Sequence, residues 1–355
     1  MKKNIAVIFG GKSSEYEVSL RSVSCILENV DKEKYNIINI GITKEGNWLL
    51  YSGETENIRN ASWVNDPQNV SVCLSPDRST SGIIAFYPDK TTVIKIDVIF
   101  PVLHGKNGED GTIQGLFALS GIPYVGCGCL SSAVCMDKAI THCILNGANI
   151  EQAHYLWFYA DRYEIDAEKI RNKITARLKY PVFVKPANAG SSVGVSKVSS
   201  EDELDIAIKK AIKEDIKIVV EEGVFGKEIE CSVMGNRNAV AAEMLGEVVT
   251  GADFYDYDDK YTNGVSQTLI PATISPELTQ KLREIAVRAY RYLGCAGLSR
   301  VDFFVTDEGK IILNEINTLP GFTEISMYSK LWIASGVSLT ELVDKLIDSA
   351  FDRYE

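Results

Sequence analysis

The sequence predicts an α/β protein with a parallel N-terminal sheet, followed by an α+β part dominated by β-hairpins. Three observations carry this. Apolar runs alternate with helical patterns as far as Leu103. Two β-runs flank a glycine- and serine-rich loop in VFVKPANAGSSVGVSKV, from Val182. Two further strand-like runs, Arg300 to Val305 and Lys310 to Ile316, are separated only by a short turn. At 355 residues the chain exceeds what one core usually serves, so two or three domains are expected.

Asn4-Ile-Ala-Val-Ile-Phe-Gly-Gly reads as a strand stopped by two glycines. Ser13, Ser14 and Glu15 resemble an N-cap before the helical pattern Val18 to Leu27. Tyr35 to Ile42 and Ile94 to Leu103 read as the next two strands of a parallel sheet covered on both faces. Residues 44–92 are polar and turn-rich, an excursion with hairpins. After Tyr124-Val-Gly-Cys-Gly a helix runs from Ser131 to Asn146. Helix Glu201 to Lys213 and strand Lys217 to Glu221 follow the glycine-serine hairpin. A β-rich stretch spans Glu228 to Val249, and Gly251 to Gly264 is a polar, aromatic loop. The amphipathic helix Pro276 to Leu293 precedes the last strand pair, and a helix from Ser338 to Arg353 follows it.

Composition excludes several classes. An apolar content of 45% with 24% charged residues describes a soluble globular protein. The N-terminal apolar run, Ile5 to Phe9, is too short for a signal peptide, and no later run reaches membrane-spanning length. A cytoplasmic location is expected. The formal charge of −11 disfavours a broad nucleic-acid interface. Eight cysteines in such a chain do not suggest a disulfide framework. Cys127, Cys129, Cys135 and Cys143 cluster as zinc ligands would, but their spacing matches no pair of CxxC knuckles. Buried small thiols are the default reading.

Two features carry chemistry. Lys185 ends a strand, residues 190–194 form a small-residue turn, and a second strand returns through Val195. Glycines let backbone N–H groups approach an anion and serines add donors, so this loop suits a lid over phosphates. It is neither a Walker loop nor a turn into a helix; an ordinary hairpin tip is the alternative. On the last strand pair, Arg300 and Asp302 share one face, as do Glu315 and Asn317. If the strands are antiparallel neighbours, these four converge as hard oxygen ligands for Mg²⁺ with a cation alongside. A salt-bridged strand pair is the blander reading, and it leaves the adjacent Glu and Asn unexplained.

The motifs GGKSSEYEVSL (10–20), LHGKNGEDGTIQG (103–115), SSAVCMDK (131–138), KPANAGSSVGVSK (185–197), DYDDKY (256–261), SRVDFF (299–304) and NEINTLPGFT (314–323) resemble those of the ATP-grasp enzymes. Within that superfamily the chain resembles the D-alanine–D-alanine ligases over nearly its whole length. The resemblance implies an ATP-grasp fold with an N-terminal substrate domain (1–126), a central subdomain with the phosphate loop (127–221) and a C-terminal subdomain with the metal site and closing loop (222–355). It implies cytoplasmic synthesis of a bacterial cell-wall dipeptide through a D-alanyl phosphate, with ATP as co-substrate. Two Mg²⁺ ions are implied, for which Mn²⁺ substitutes, and a homodimer is expected. No nucleic-acid or membrane partner is expected.

Position by position, Lys138 and Lys185 resemble the lysines on the ATP phosphates, together with Ser191 and Ser192. Glu221 and Glu228 resemble ribose contacts, and Lys260 lies on the loop closing over the γ-phosphate. Asp302, Glu315 and Asn317 resemble the metal ligands. Glu15 resembles the residue binding the first D-alanine's ammonium, with His104 nearby. Arg300 and the Gly321 N–H resemble an oxyanion site, and Ser326 and Met327, with Lys260 nearby, resemble the residues that bind the second amino acid's carboxylate. Glu15, Ser191 and Tyr261 resemble a hydrogen-bonded trio closing the loop, while Glu17, Asp110 and Asp137 brace turns and caps. The intact Lys260-Tyr261 pair argues against D-lactate as second substrate. Met327 offers an apolar wall and no donor to a hydroxymethyl group, which favours D-alanine over the D-serine of glycopeptide-resistance ligases. Ser329, where the family usually has proline, is a departure bearing on the helix that follows.

Overall fold

The structure, a computed structural model, describes residues 2–190, 192–249, 267–323 and 325–353. An N-terminal sheet is made by β1 (Lys3–Gly10), β2 (Tyr35–Ile42), β3 (Trp48–Tyr51), β4 (Val70–Leu74), β5 (Gly82–Phe86), β6 (Thr91–Lys95) and β7 (Val98–Leu103), in the order β6-β5-β4-β3-β2-β1-β7. In this sheet β1 pairs parallel with β2 on one side and β7 on the other, and the pairs from β2 to β6 are antiparallel. The expected parallel sheet is therefore mixed. Residues 44–92 supply the hairpins expected of them, and these extend the same sheet. Their links are short, and short links join antiparallel strands. The strand expected from Ile94 to Leu103 divides at Asp97, whose carboxylate accepts the Asn4 N–H at 2.6 Å.

Helix α1 (Tyr16–Asn29) buries Leu20, Val23 and Ile26 against this sheet; α2 (Thr55–Arg59) and α3 (Thr112–Ser120) complete the unit. Glu15 stands at the N-cap position of α1 but its side chain caps nothing, because it turns toward the site; Ser13 Oγ accepts the Glu15 N–H at 3.1 Å.

Where one helix was expected from Ser131, there are two: α4 (Cys129–Met136) and α5 (Lys138–Gly147). Asp137 breaks them by leaving helical geometry and capping α5 through the Ile140 N–H. Strands β8 (Tyr155–Tyr159), β9 (Val182–Pro186), β10 (Ser196–Val198) and β11 (Lys217–Glu222) form a four-stranded antiparallel sheet, β10-β9-β11-β8. Helices α6 (Ala160–Ile165), α7 (Ala167–Arg177) and α8 (Glu201–Ile212) accompany it.

The third sheet combines β12 (Lys227–Gly235), β13 (Val240–Ala241), β14 (Gly246–Val249), β15 (Gln267–Leu269), β16 (Gly297–Val305) and β17 (Ile311–Asn317). Helix α9 (Pro276–Tyr292) begins at the proline expected to open it, and Ser275 caps it by accepting the Leu278 N–H. Helices α10 (Met327–Ala334) and α11 (Leu339–Asp352) follow. Leu342, Leu346 and Ile347 of α11 share one hydrophobic cluster with Val23 and Leu27 of α1, so the last helix is built into the N-terminal core. Of the four clustered cysteines only Cys127 is buried; Cys129 and Cys143 are exposed, against the expectation of buried thiols.

Candidate active site

A cleft of about 250 Å³ opens between the four-stranded sheet and the third sheet. Lys138, Lys185, Ser192, Glu221, Glu228 and Glu315 line it, and Phe183, Val248 and Leu313 supply apolar walls. Lys185 on β9 and Glu221 on β11 fall on one face, since Lys185 pairs with Val219, two residues before Glu221. Their Nζ–Oε2 distance is 2.6 Å. Burial alone would push the Glu221 carboxyl up, but Lys185 and His142 outweigh it and hold it well below the usual carboxylate range. Lys138 opens α5 and donates to Ala189 O at 2.8 Å, which brings its ammonium to the edge of the glycine-serine loop. Ser192 holds a left-handed φ of 59°, the kind of backbone strain that gathers at ligand-binding turns.

The antiparallel pairing of β16 and β17 sets Arg300 opposite Asn317 and Asp302 opposite Glu315, with a bulge immediately beyond. Arg300 forks onto Asp302, with Nε–Oδ1 at 2.8 Å and Nη2–Oδ2 at 2.7 Å, and reaches Glu230 at 3.0 Å. Burial would weaken its charge, yet Asp302 and Glu230 hold the guanidinium firmly protonated. Asn317 Nδ2 donates to Asp302 Oδ2 at 3.0 Å. The salt bridge of the blander reading is present, and Glu315 and Asn317 stand beside it. Among the described residues no group of three or more His, Cys, Asp or Glu side chains is arranged to hold a metal. A carboxylate pair with an amide fits magnesium all the same, because that ion takes few protein ligands and completes its shell with phosphate oxygens and water.

A second chamber, about 410 Å³, adjoins the first; Gly190, Glu228, Val248 and Glu315 line both. Glu15, His104, Arg300, Asp302, Asn317 and Gly321 line it, with Ser326 and Met327. Gly105 has φ +69°, and a methyl there would collide with Glu15 Oε2; at Gly190 the same oxygen would lie 3.2 Å away. Glycine on both sides thus lets the Glu15 carboxylate sit between the N-terminal sheet and the phosphate loop. His104 Nδ1 lies 2.9 Å from Leu319 O and must donate to it, so Nε2, at 3.2 Å from Ser22 Oγ, accepts. Burial lowers this histidine's pKa, and the ring is the neutral Nδ1–H tautomer. Ser22 Oγ in turn accepts the Phe322 N–H at 3.1 Å. Residues 319–322, with Gly321 between two bound groups, are thereby fastened to α1 and to His104, just beyond β7. Ser326 Oγ accepts the Thr323 N–H at 2.9 Å, and the single proton of the buried Ser329 hydroxyl is shared between Thr323 O and Ser326 O, each 3.1 Å away. The first turn of α10 therefore forms with serine where the family usually has proline.

Every described site residue inferred from sequence thus lines one of two adjoining cavities. Ser191, Lys260 and Tyr261 lie outside the described residues. Asp110, accepting the N–H groups of Asn107 and Thr112, braces a turn as expected; Glu17 pairs with Lys44. Sequence reasoning missed His142, Glu109 and the apolar walls. Glu109 stands in the quoted GEDG run, but only the fold shows it half-buried between the Gly105 and Leu319 amides.

A glycine-serine loop, two lysines and paired carboxylates, held between two antiparallel sheets, define an ATP-grasp enzyme. A family model described as D-ala D-ala ligase N-terminus matches residues 4–127, and one described as D-ala D-ala ligase C-terminus matches residues 144–348. The chain belongs to the D-alanine–D-alanine ligase family. It is 53% identical to a D-alanine–D-alanine ligase of Ruminiclostridium cellulolyticum, covering 100% of this chain and 96% of that one, and 46% identical to one of Caldicellulosiruptor bescii, covering 99% and 96%. Among solved structures, the VanG D-Ala:D-Ser ligase from Enterococcus faecalis matches with a TM-score of 0.90 at 44% identity, covering 99% of this chain and 100% of that one. The D-alanine-D-alanine ligase from Coxiella burnetii matches with a TM-score of 0.86 at 33% identity, covering 99% and 95%.

Proposed function

We propose that this chain is an ATP-dependent ligase that joins two D-alanines, releasing ADP and phosphate. The observation that carries the reading is Glu315, beside Arg300 and Asp302, lining both the nucleotide cleft and the second chamber. A phosphoryl group crossing from ATP to a carboxylate must pass such a junction. In the first step a carboxylate oxygen of D-alanine attacks the γ-phosphorus and the bond to ADP breaks. In the second, the amine of the other D-alanine attacks the acyl carbon, loses a proton, and inorganic phosphate leaves. A carboxylate oxygen is a poor leaving group, so phosphorylation must precede amide formation, in a site that excludes water.

Lys138, Lys185, Ser191, Ser192 and Lys260 hold the phosphates, and Glu228 meets the ribose. Glu221 takes part through its hold on Lys185, both of its oxygens being bonded to protein. Asp302, Glu315 and Asn317 would hold two Mg²⁺ ions, which would supply positive charge to the phosphoryl oxygens. Glu15 receives the ammonium of the first D-alanine, next to the neutral His104. Arg300 and the Gly321 N–H stabilise the tetrahedral oxyanion, a task to which one donor typically contributes about 10²–10³ in rate. Ser326 and Met327 orient the second D-alanine, and Ser191 with Tyr261 and Glu15 closes the site.

D-Serine as second substrate is the other reading, favoured by the 0.90 TM-score to the VanG D-Ala:D-Ser ligase. Met327 weighs against it: the side chain is buried so closely over Gly246 that a methyl there would collide with its sulfur. The test is ATP-dependent phosphate release with D-alanine as the only amino acid. Wild type should release phosphate, and Glu315→Gln should lose turnover while its melting temperature is retained. Full activity in Glu315→Gln would contradict the assignment of the metal site.

A further inference from the structure

His142 has no role in the function as described, yet it lies buried on the floor of the nucleotide cleft with both ring nitrogens bonded. Nδ1 is 2.6 Å from Gln152 Oε1, and Nε2 is 3.0 Å from Glu221 Oε1. The Gln152 amide has only one orientation. Its Nε2 faces three oxygens, Asn146 Oδ1 at 3.0 Å, His142 O at 3.2 Å and Ile150 O at 3.4 Å, and two of these are main-chain carbonyls that can only accept. Oε1 therefore faces the ring, and Nδ1 must donate to it. On the other side Glu221 is an ionised carboxylate, a pure acceptor, so Nε2 must donate as well. A ring that donates from both nitrogens is an imidazolium.

We propose that His142 is a cationic positioning residue for ATP, sharing the Glu221 carboxylate with Lys185 so that the lysine keeps an unneutralised charge for the triphosphate. The inference rests on the reading of this cleft as the ATP site. Lys185 Nζ sits 2.6 Å from the other Glu221 oxygen, so one carboxylate bridges two cations and the trio carries a net positive charge. With a neutral ring, Glu221 would cancel Lys185 alone and the trio would be neutral. The remaining groups facing the ring do not change this count. Tyr155 from β8 stacks on it at 4.1 Å and 14°, and burial, reinforced by Cys143, pushes its phenol up to about 12, so it stays uncharged. On the histidine's own helix, Lys138 lines the same cleft and adds positive charge.

The full-length protein serves for the test. Ring ¹⁵N spectra, with three histidines to assign and His142→Gln to assign this one, should show both nitrogens of His142 protonated at neutral pH. The affinity for a non-hydrolysable ATP analogue, measured by calorimetry without amino acid, should fall about tenfold as the pH is raised until that ring deprotonates. His142→Gln should bind about tenfold more weakly at neutral pH, and His142→Lys, a permanent cation, should restore binding and remove the alkaline loss. A neutral tautomer at neutral pH, or the same alkaline loss in His142→Lys, would overturn the proposal. The wild-type spectra and titration need no variant to fold. Failure of wild type to bind the analogue at all would overturn both this proposal and the ATP-site reading. A neutral ring in a protein that does bind it would overturn the proposal alone.

Discussion

Glu109 joins the two sides of the second chamber at the scale of a single residue. Its Oε2 accepts the Gly105 N–H at 2.7 Å and its Oε1 the Leu319 N–H at 3.2 Å, which ties the loop after β7 to the turn that carries Gly321. Burial first, and then the nearby Glu15, push its carboxyl up to about 8. An unfolded chain would release that proton near ~4.3. Between these values the folded state binds more protons than the unfolded one, so this group's contribution to stability falls as pH rises and levels off above about 8. Glu109→Gln should flatten the decline of melting temperature across that window; an unchanged slope would mean the carboxyl is ionised in the fold. His142 and Glu109 share a reason for escaping the sequence reading. Each is defined by partners far along the chain, Glu221 and Leu319, and a side chain's burial is not written in its neighbours.

Period-two alternation was readable on the strands that carry the proposed metal ligands: the antiparallel register of β16 and β17 is the one Arg300, Asp302, Glu315 and Asn317 imply. The glycine-serine hairpin and the ends of α9 and α11 were equally readable, since cap and turn residues act locally. Sheet direction at residues 44–92 was not, because it depends on which edge a hairpin joins. That meander also supplies Trp63, fully buried, edge-on to Phe9 at 5.0 Å and donating to Tyr16 OH at 3.1 Å. Truncating a large buried aromatic leaves a cavity as well as lost contacts, so Trp63→Ala should cost about 3–5 kcal/mol in denaturant unfolding. A loss below ~1 kcal/mol would show that this segment is not integral to the N-terminal core.

Over the whole molecule, three sheets meet so that the proposed nucleotide cleft and amino-acid chamber share a wall. The α1–α11 cluster locks the last helix to the first, and Leu319, Phe322 and Met327 of the chamber wall pack into the same cluster. The family and the ATP chemistry were legible in the order of long motifs. The second substrate was not, because it turns on how Met327 seats against Gly246, and such a contact is worth only ~1–3 kcal/mol of discrimination. The most direct test of the central claim is to give the enzyme ATP with equal concentrations of D-alanine and isotope-labelled D-serine, and to identify the dipeptides by mass. The geometry predicts D-alanyl-D-alanine as the main product, with phosphate released by D-alanine alone. No dipeptide from D-alanine alone, with D-alanyl-D-serine forming once D-serine is added, would contradict it.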